Sequence, residues 1–128
     1  TEISADATHP IIALLPEQEG VLDMGGSLRL GANEIKINPD TLASKLYNSN
    51  KISRRHRHRY EFNTNFREQF KENGMIFSGE SDNGKRMEIL EVPSHKFFLG
   101  VQFHPEFNSR PGFPEESFKS FVTAASQN

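Results

Sequence analysis

The apolar run Phe97-Phe98-Leu99-Gly100-Val101-Gln102-Phe103 ends in His104-Pro105-Glu106. An imidazole at the end of a buried strand can move protons to and from a nucleophile, and a carboxylate two residues on can fix its tautomer and balance its charge. Pro105 restrains the backbone between them. On an ordinary surface turn the same triplet would do nothing, so its place after an apolar strand is what makes it a candidate. The strand is expected to be a central one. A second concentration is Arg54-Arg55-His56-Arg57-His58-Arg59-Tyr60-Glu61. Such a run of basic side chains is not expected to share a packed core, so it should border solvent, an acidic surface or an anionic ligand. In extended backbone Arg55, Arg57 and Arg59 point one way and His56 and His58 the other. Phosphate or nucleic-acid binding, a His-x-His metal site and a solvated charged loop all remain open for it.

Strands and helices that alternate along the chain must position these groups. Ile11 to Leu15 is a short continuous apolar run after His9-Pro10, as in a strand buried on both faces. Pro16 to Gly26 is polar and glycine-bearing and reads as a loop. Ser27-Leu28-Arg29-Leu30 and Glu34-Ile35-Lys36-Ile37 alternate with period two and predict a hairpin with one wet face. Asp40 offers an N-cap for a short helix through Leu42, Leu46 and Tyr47, and Asn63 or Thr64 caps a second helix carrying Phe66 and Phe70, ended by Gly74 at C′. Strands follow at Met75-Ile76-Phe77, Met87 to Val92 and Phe97 to Phe103, separated by the turn sequences Ser81-Asp82-Asn83-Gly84 and Pro93-Ser94-His95. A last helix starts near Pro114, with proline at N1 and Phe118, Phe121 and Val122 on one side. The pattern is α/β, and its strands need partners that upstream chain would supply.

Composition narrows the classes. With 34% hydrophobic and 25% charged residues over 128 positions, the chain reads as soluble and globular, one small domain or a piece of a larger one. No apolar run is long enough to span a bilayer, and no signal peptide is visible, so no membrane association and a cytoplasmic location are expected. A formal net charge of −2 argues against a general nucleic-acid partner. The sequence contains no cysteine, hence no disulfide or thiolate metal site. Its start at Thr1 without methionine suggests part of a longer protein.

Several segments in order, Met24-Gly25-Gly26-Ser27-Leu28-Arg29-Leu30-Gly31, Arg55 to Glu61, Met87-Glu88-Ile89, Gly100 to Phe107 and Ser109-Arg110-Pro111, resemble the signatures of the glutaminase domain of the CTP synthase family. The likeness covers essentially the whole chain. The His-Pro-Glu is shared by class I glutamine amidotransferases in general, whereas the Arg-His-Arg-His-Arg-Tyr-Glu block is characteristic of CTP synthases. The resemblance implies the C-terminal portion, over residues 1–128, of a class I amidotransferase domain with a flavodoxin-like fold, a mixed sheet flanked by helices. It implies a cysteine, histidine and glutamate triad that hydrolyses glutamine, with His104 as general base and acid and Glu106 orienting it. Arg59 aligns with a contact to the α-carboxylate of glutamine, and Glu2, in Thr1-Glu2-Ile3, with a contact to its α-ammonium. The nucleophile should lie upstream of Thr1. No metal or cofactor is expected in this part. The intact enzyme of the family uses ATP and Mg2+ to aminate UTP in an N-terminal synthetase domain, is activated by GTP and forms homotetramers; the loop from Pro16 to Met24 is shorter than in many bacterial members, so no GTP contact is assigned. Another class I amidotransferase, such as GMP synthase, would have no reason to carry the Arg55 to Glu61 block. A non-catalytic module binding nucleotide or an acidic partner would reveal itself by salt-dependent affinity for nucleic acid.

The absence of a thiol generates a direct test. The 128-residue chain by itself should neither release ammonia from glutamine nor be alkylated by thiol-directed glutamine analogues, as read by a coupled glutaminase assay and by intact mass. Glutaminase activity in homogeneous chain would overturn the assumed cysteine chemistry.

Overall fold

The computed structural model describes residues 3–14 and 29–127. Glu2, Leu15, the loop expected from Pro16 to Gly26 and the Ser27-Leu28 part of the expected hairpin therefore lie outside the described residues. Strand β1 is Ile12–Ala13, β2 Arg29–Ile37, β3 Lys51–His58, β4 Glu61–Phe62, β5 Ile76–Ser81, β6 Arg86–Glu91 and β7 Leu99–Val101. Helices α1 (Leu42–Tyr47), α2 (Arg67–Glu72) and α3 (Glu116–Ser126) complete the α/β arrangement. The main sheet has the order β3-β2-β5-β6-β7, and β1 pairs with β4 separately. All the pairings between these strands are antiparallel.

Alternation along β2 builds the inner face. Arg29, Gly31, Asn33, Ile35 and Ile37 turn inward, while Leu30, Ala32, Glu34 and Lys36 face out. Two apolar clusters result. Ile35, Ile37, Ala43, Ile52, Ile89 and Phe103 form one, and Phe62, Phe77 and Met87 form the other, packed with Phe66 and Phe70 of the α2 region. Helix α1 is held by its Thr41–Ser44 capping box and by Glu91 of β6, whose carboxylate accepts from the amides of Leu42 (2.9 Å) and Ala43 (2.7 Å).

Several expectations need correction. The wet-faced hairpin predicted between Arg29-Leu30 and Glu34 is one continuous strand, because β3 pairs with it without a slip from Arg29↔His58 to Lys36↔Lys51; the chain bends at Gly31 (φ +88°) without turning. Thr41, not Asp40, caps α1, since Asp40 takes a left-handed conformation and cannot present its carboxylate in the extended N-cap geometry. Ile12 is exposed, so the Ile11 strand is not buried on both faces; its described partner is the two-residue β4. Helix α3 is capped by Glu115, whose side chain accepts from Ser117 N, which puts Pro114 ahead of the cap and not at N1. Regular pairing also ends early in the last strand. β7 stops at Val101 and lies at the edge of the five-stranded sheet, not its centre; Gln102 still bonds Glu88 O of β6, and by His104 the chain has crossed to Arg55 O of β3.

Strand β5 carries an irregularity at Phe77/Gly79/Glu80 opposite β6. A Cβ at Gly79 would lie 2.6 Å from Ile89 Cγ1 and 3.0 Å from Ile89 Cβ, so this side chain cannot simply swing aside. Gly79→Ala should therefore lower domain stability by about 1–3 kcal/mol, visible as a reduced denaturation midpoint. An unchanged midpoint would mean that the β5–β6 irregularity is soft.

Candidate active site

The chain beyond β7 stitches the far edges of the sheet together. Gln102 N donates to Glu88 O on β6 at 2.9 Å, and His104 N donates to Arg55 O on β3 at 2.9 Å. Phe103, between them, is buried in the core with its ring edge-on to His56 at 6.3 Å. The alternation that sinks Phe103 turns the His104 side chain out, and Pro105 then starts a short 3-10 turn over Pro105–Asn108. His104 Nδ1 and Glu106 Oε1 lie 2.7 Å apart. A carboxylate accepts only, so the ring's Nδ1 carries the proton and its Nε2 is left as the basic atom. The His104 hydrogen bond is also the main reason the Glu106 carboxyl is held below its ordinary range.

The basic segment divides as its alternation predicts. Arg55 and Arg57 are exposed, while His56 is buried and His58 half-buried on the inner face. The expectation that no member of this run would join the interior is thus wrong for His56, and the reason is protonation. Burial first, then the charge of Arg29, lowers His56 to about 3 and His58 to about 4, so both rings are neutral and His56 can enter the core. His58 Nδ1 faces the carbonyl of Tyr60 at 3.1 Å and must donate to it. Its Nε2 is then an acceptor, and His56 Nδ1 at 2.8 Å donates to it. Among the described residues no three His, Cys, Asp or Glu are grouped to hold a metal ion.

Behind the histidines sits a buried ionic network that the sequence reading did not assign to the site. Arg29 Nη1 donates to Glu88 Oε1 at 2.6 Å and its Nη2 to Ser81 Oγ at 3.1 Å; Ser81 also donates to Glu88. Glu88 Oε2 is 3.9 Å from His56 Nε2. Glu61 is salt-bridged to Arg86 and lies 3.9 Å from Arg29, yet burial still pushes its carboxyl above the usual range. The available signal was that Arg29, His56, His58, Glu61 and Glu88 all fall within the motif segments of the sequence. Arg59 follows β3 directly and is half-buried. Gln102 Nε2 donates to Tyr60 O at 3.3 Å, so the turn bearing Arg59 and the segment leading to His104 are joined by a side chain.

A histidine hydrogen-bonded to a carboxylate, on a segment tied through Gln102 to the turn that follows Arg59, can be placed among known proteins. The sequence profile of "Glutamine amidotransferase class-I" matches residues 6–124. The chain belongs to the class I glutamine amidotransferases. It is 56% identical over 124 residues to the CTP synthase of Staphylococcus epidermidis, covering 97% of this chain and 23% of that protein. To the CTP synthase of Archaeoglobus fulgidus it is 53% identical over 125 residues, covering 98% of this chain and 24% of that one. The amidotransferase chain thus spans about a quarter of the length of these curated relatives. Its fold matches the Trypanosoma brucei CTPS glutaminase domain with bound acivicin at a TM-score of 0.90 and 34% identity, over 99% of this chain and 50% of that one. The α/β fold is therefore that of a class I glutaminase domain. No helix among the described residues is long and apolar enough to cross a membrane.

The neutral histidine pair sets a pH dependence. Unfolded, each imidazole takes up a proton near 6.5, whereas in the fold His58 resists to about 4 and His56 to about 3. Below about pH 6.5 the unfolded chain therefore binds more protons than the folded one, and stability falls by up to about 1.4 kcal/mol per pH unit for each ring. Arg29 of β2, Arg86 and Glu88 of β6 and His104 face the pair, and they remain in both proteins compared. Melting curves between pH 6.5 and 5 should show a shallower decline in His58→Asn than in wild type. Equal slopes would mean that His58 is charged in the fold.

Proposed function

We propose that this chain supplies the acid–base half of a glutaminase site in a CTP synthase, the half that takes ammonia from glutamine for amination of UTP. The observation that carries the reading is the 2.7 Å hydrogen bond from His104 Nδ1 to Glu106, in a chain of the class I amidotransferase family. With Nδ1 so occupied, Nε2 accepts the proton of a cysteine thiol supplied from elsewhere in the domain. The thiolate attacks the side-chain amide carbon of glutamine, and the tetrahedral adduct collapses as the imidazolium protonates the departing ammonia. Water, deprotonated by the same nitrogen, then cleaves the thioester to glutamate and restores the thiol. Glu106 stabilises the imidazolium that forms in each half. Arg59, with its planar fork, receives the α-carboxylate of glutamine, and Glu2 the α-ammonium.

In this reading a separate synthetase domain, with ATP and Mg2+, activates UTP and consumes the ammonia, GTP acts as activator, and the full-length enzyme works as a cytoplasmic homotetramer. The affinity of the amidotransferase chain for CTP synthases, over 97% of its length at 56% identity, favours this assignment over another amidotransferase.

The full-length protein tests it. His104→Ala should lower glutamine-dependent CTP formation by about 10³-fold or more, and Glu106→Gln by about 10- to 100-fold, since an amide can hold the ring without balancing its charge. Arg59→Ala should act mainly through KM for glutamine, raising it about tenfold, because its contact exists already in the ground state. Synthesis from ammonium chloride should persist in all three. Equal loss of both reactions in folded His104→Ala would remove His104 from the glutaminase step, and retention of both would show that it is not catalytic.

A further inference from the structure

Tyr60 stands between two parts of the site. Its carbonyl oxygen accepts from His58 Nδ1 at 3.1 Å and from Gln102 Nε2 at 3.3 Å. Residue 60 immediately follows Arg59, and residue 102 lies two before His104, whose own amide is tied to β3 through Arg55 O. His58 can serve as a donor here only as one tautomer. If its Nδ1 carries the proton, its Nε2 must accept, and His56 Nδ1 at 2.8 Å is the group that donates. His56 is in turn held by its burial, with its ring edge-on to Phe103. A hydrogen-bond relay of one fixed polarity therefore runs from the inner ring, His56, through His58, to the backbone after Arg59.

We propose that His58 is a positioning residue for the glutamine site: by donating to the Tyr60 carbonyl while its Nε2 accepts from His56, it fixes the turn that aims Arg59 at the α-carboxylate. The inference rests on the assignment of Arg59 to glutamine given above. His58 itself touches neither substrate nor the reacting atoms. Its effect is on the orientation of a ground-state contact, so it is read in KM for glutamine more than in kcat.

Two polar replacements separate the two ring nitrogens. Asparagine places its amide nitrogen where Nδ1 stands and can still donate to Tyr60 O. Glutamine extends its amide toward the Nε2 position, facing His56, and leaves the carbonyl without this donor. In the full-length enzyme His58→Asn should keep KM for glutamine within about twofold of wild type, and His58→Gln should raise it about tenfold with kcat changed little. Ammonia-dependent synthesis should be unchanged in both, and a retained cooperative melting transition at neutral pH reports that the amidotransferase domain of each variant is folded. Arg59→Ala and the double variant Arg59→Ala/His58→Gln complete a cycle in which His58→Gln adds nothing once Arg59 is gone. Equal KM values for the Asn and Gln variants, or a full further loss in the double variant, would overturn the proposal. If Arg59→Ala itself leaves KM unaltered, the assignment of Arg59 fails, which is a different result from an Arg59 effect with no His58 effect. Should His58→Gln lose ammonia-dependent synthesis, His56→Gln, which keeps His58 but alters the donor to its Nε2, must raise KM in the same manner or the relay is wrong.

Discussion

A carboxylate sealed inside a sheet is tolerated only when its charge is met, and Glu88 is the point on which this domain turns. Arg29 reaches it from β2 and Ser81 from the end of β5, and His56 lies across from its second oxygen. The Arg29 and Ser81 contacts draw β2, β5 and β6 around one charge, with the neutral His56 ring of β3 packed beside it. Removing Arg29 would strand the carboxylate, which is far more costly than never having built the pair. The value of the network lies in the arrangement it selects, because Arg29, Glu88 and their neighbours can all be satisfied only when the strands hold their observed alignment.

That arrangement reaches the chemistry through backbone. The backbone amide of Gln102 donates to the carbonyl of Glu88 itself on β6, Phe103 fills the core, and the amide of His104 bonds β3. The catalytic candidate is thus set on a short bridge between strands that are not neighbours in the sheet. Pro105 and the 3-10 turn after it bring Glu106 back onto the ring within two residues. A bridge pinned at both ends holds an imidazole better than a loop would, since each flanking residue has its own partner.

Much of this was legible in the chain. The alternation of Arg and His in 54–59 shows which residues share a face, though not which face turns inward, and the spacing of His104 and Glu106 shows that they can meet. The resemblance supplied the fold. What could not be read was tertiary. Period-two patterning gives the faces of a strand but not where it turns, so the continuous β2 looked like a hairpin broken at Gly31. A run of cationic side chains reads as solvated unless the charge of its histidines is known to vanish, and that depends on burial among residues distant in sequence. Likewise nothing local to Glu88 or Gln102 announces Arg29 or Tyr60 as a partner. Core membership was better foreseen than polar partnership, because apolar contacts need only a face and hydrogen bonds need specific atoms.

The unbroken pairing of β2 with β3 has a further meaning for how the chain finds its fold. On the inner face β3 presents Ile52, Arg54, His56 and His58, with Arg54 matched by Glu115 at 3.1 Å. Shifting that strand by one residue would send Ser53, Arg55 and Arg57 into the interior and leave Ile52 and His56 in water. An imidazole can shed its proton and enter alone; a guanidinium stays charged and enters only where a carboxylate meets it, as Glu115 meets Arg54. A slipped pairing of β3 on β2 would therefore bury the permanent charges of Arg55 and Arg57 in place of rings that can go neutral, a cost that adds to the lost apolar contacts.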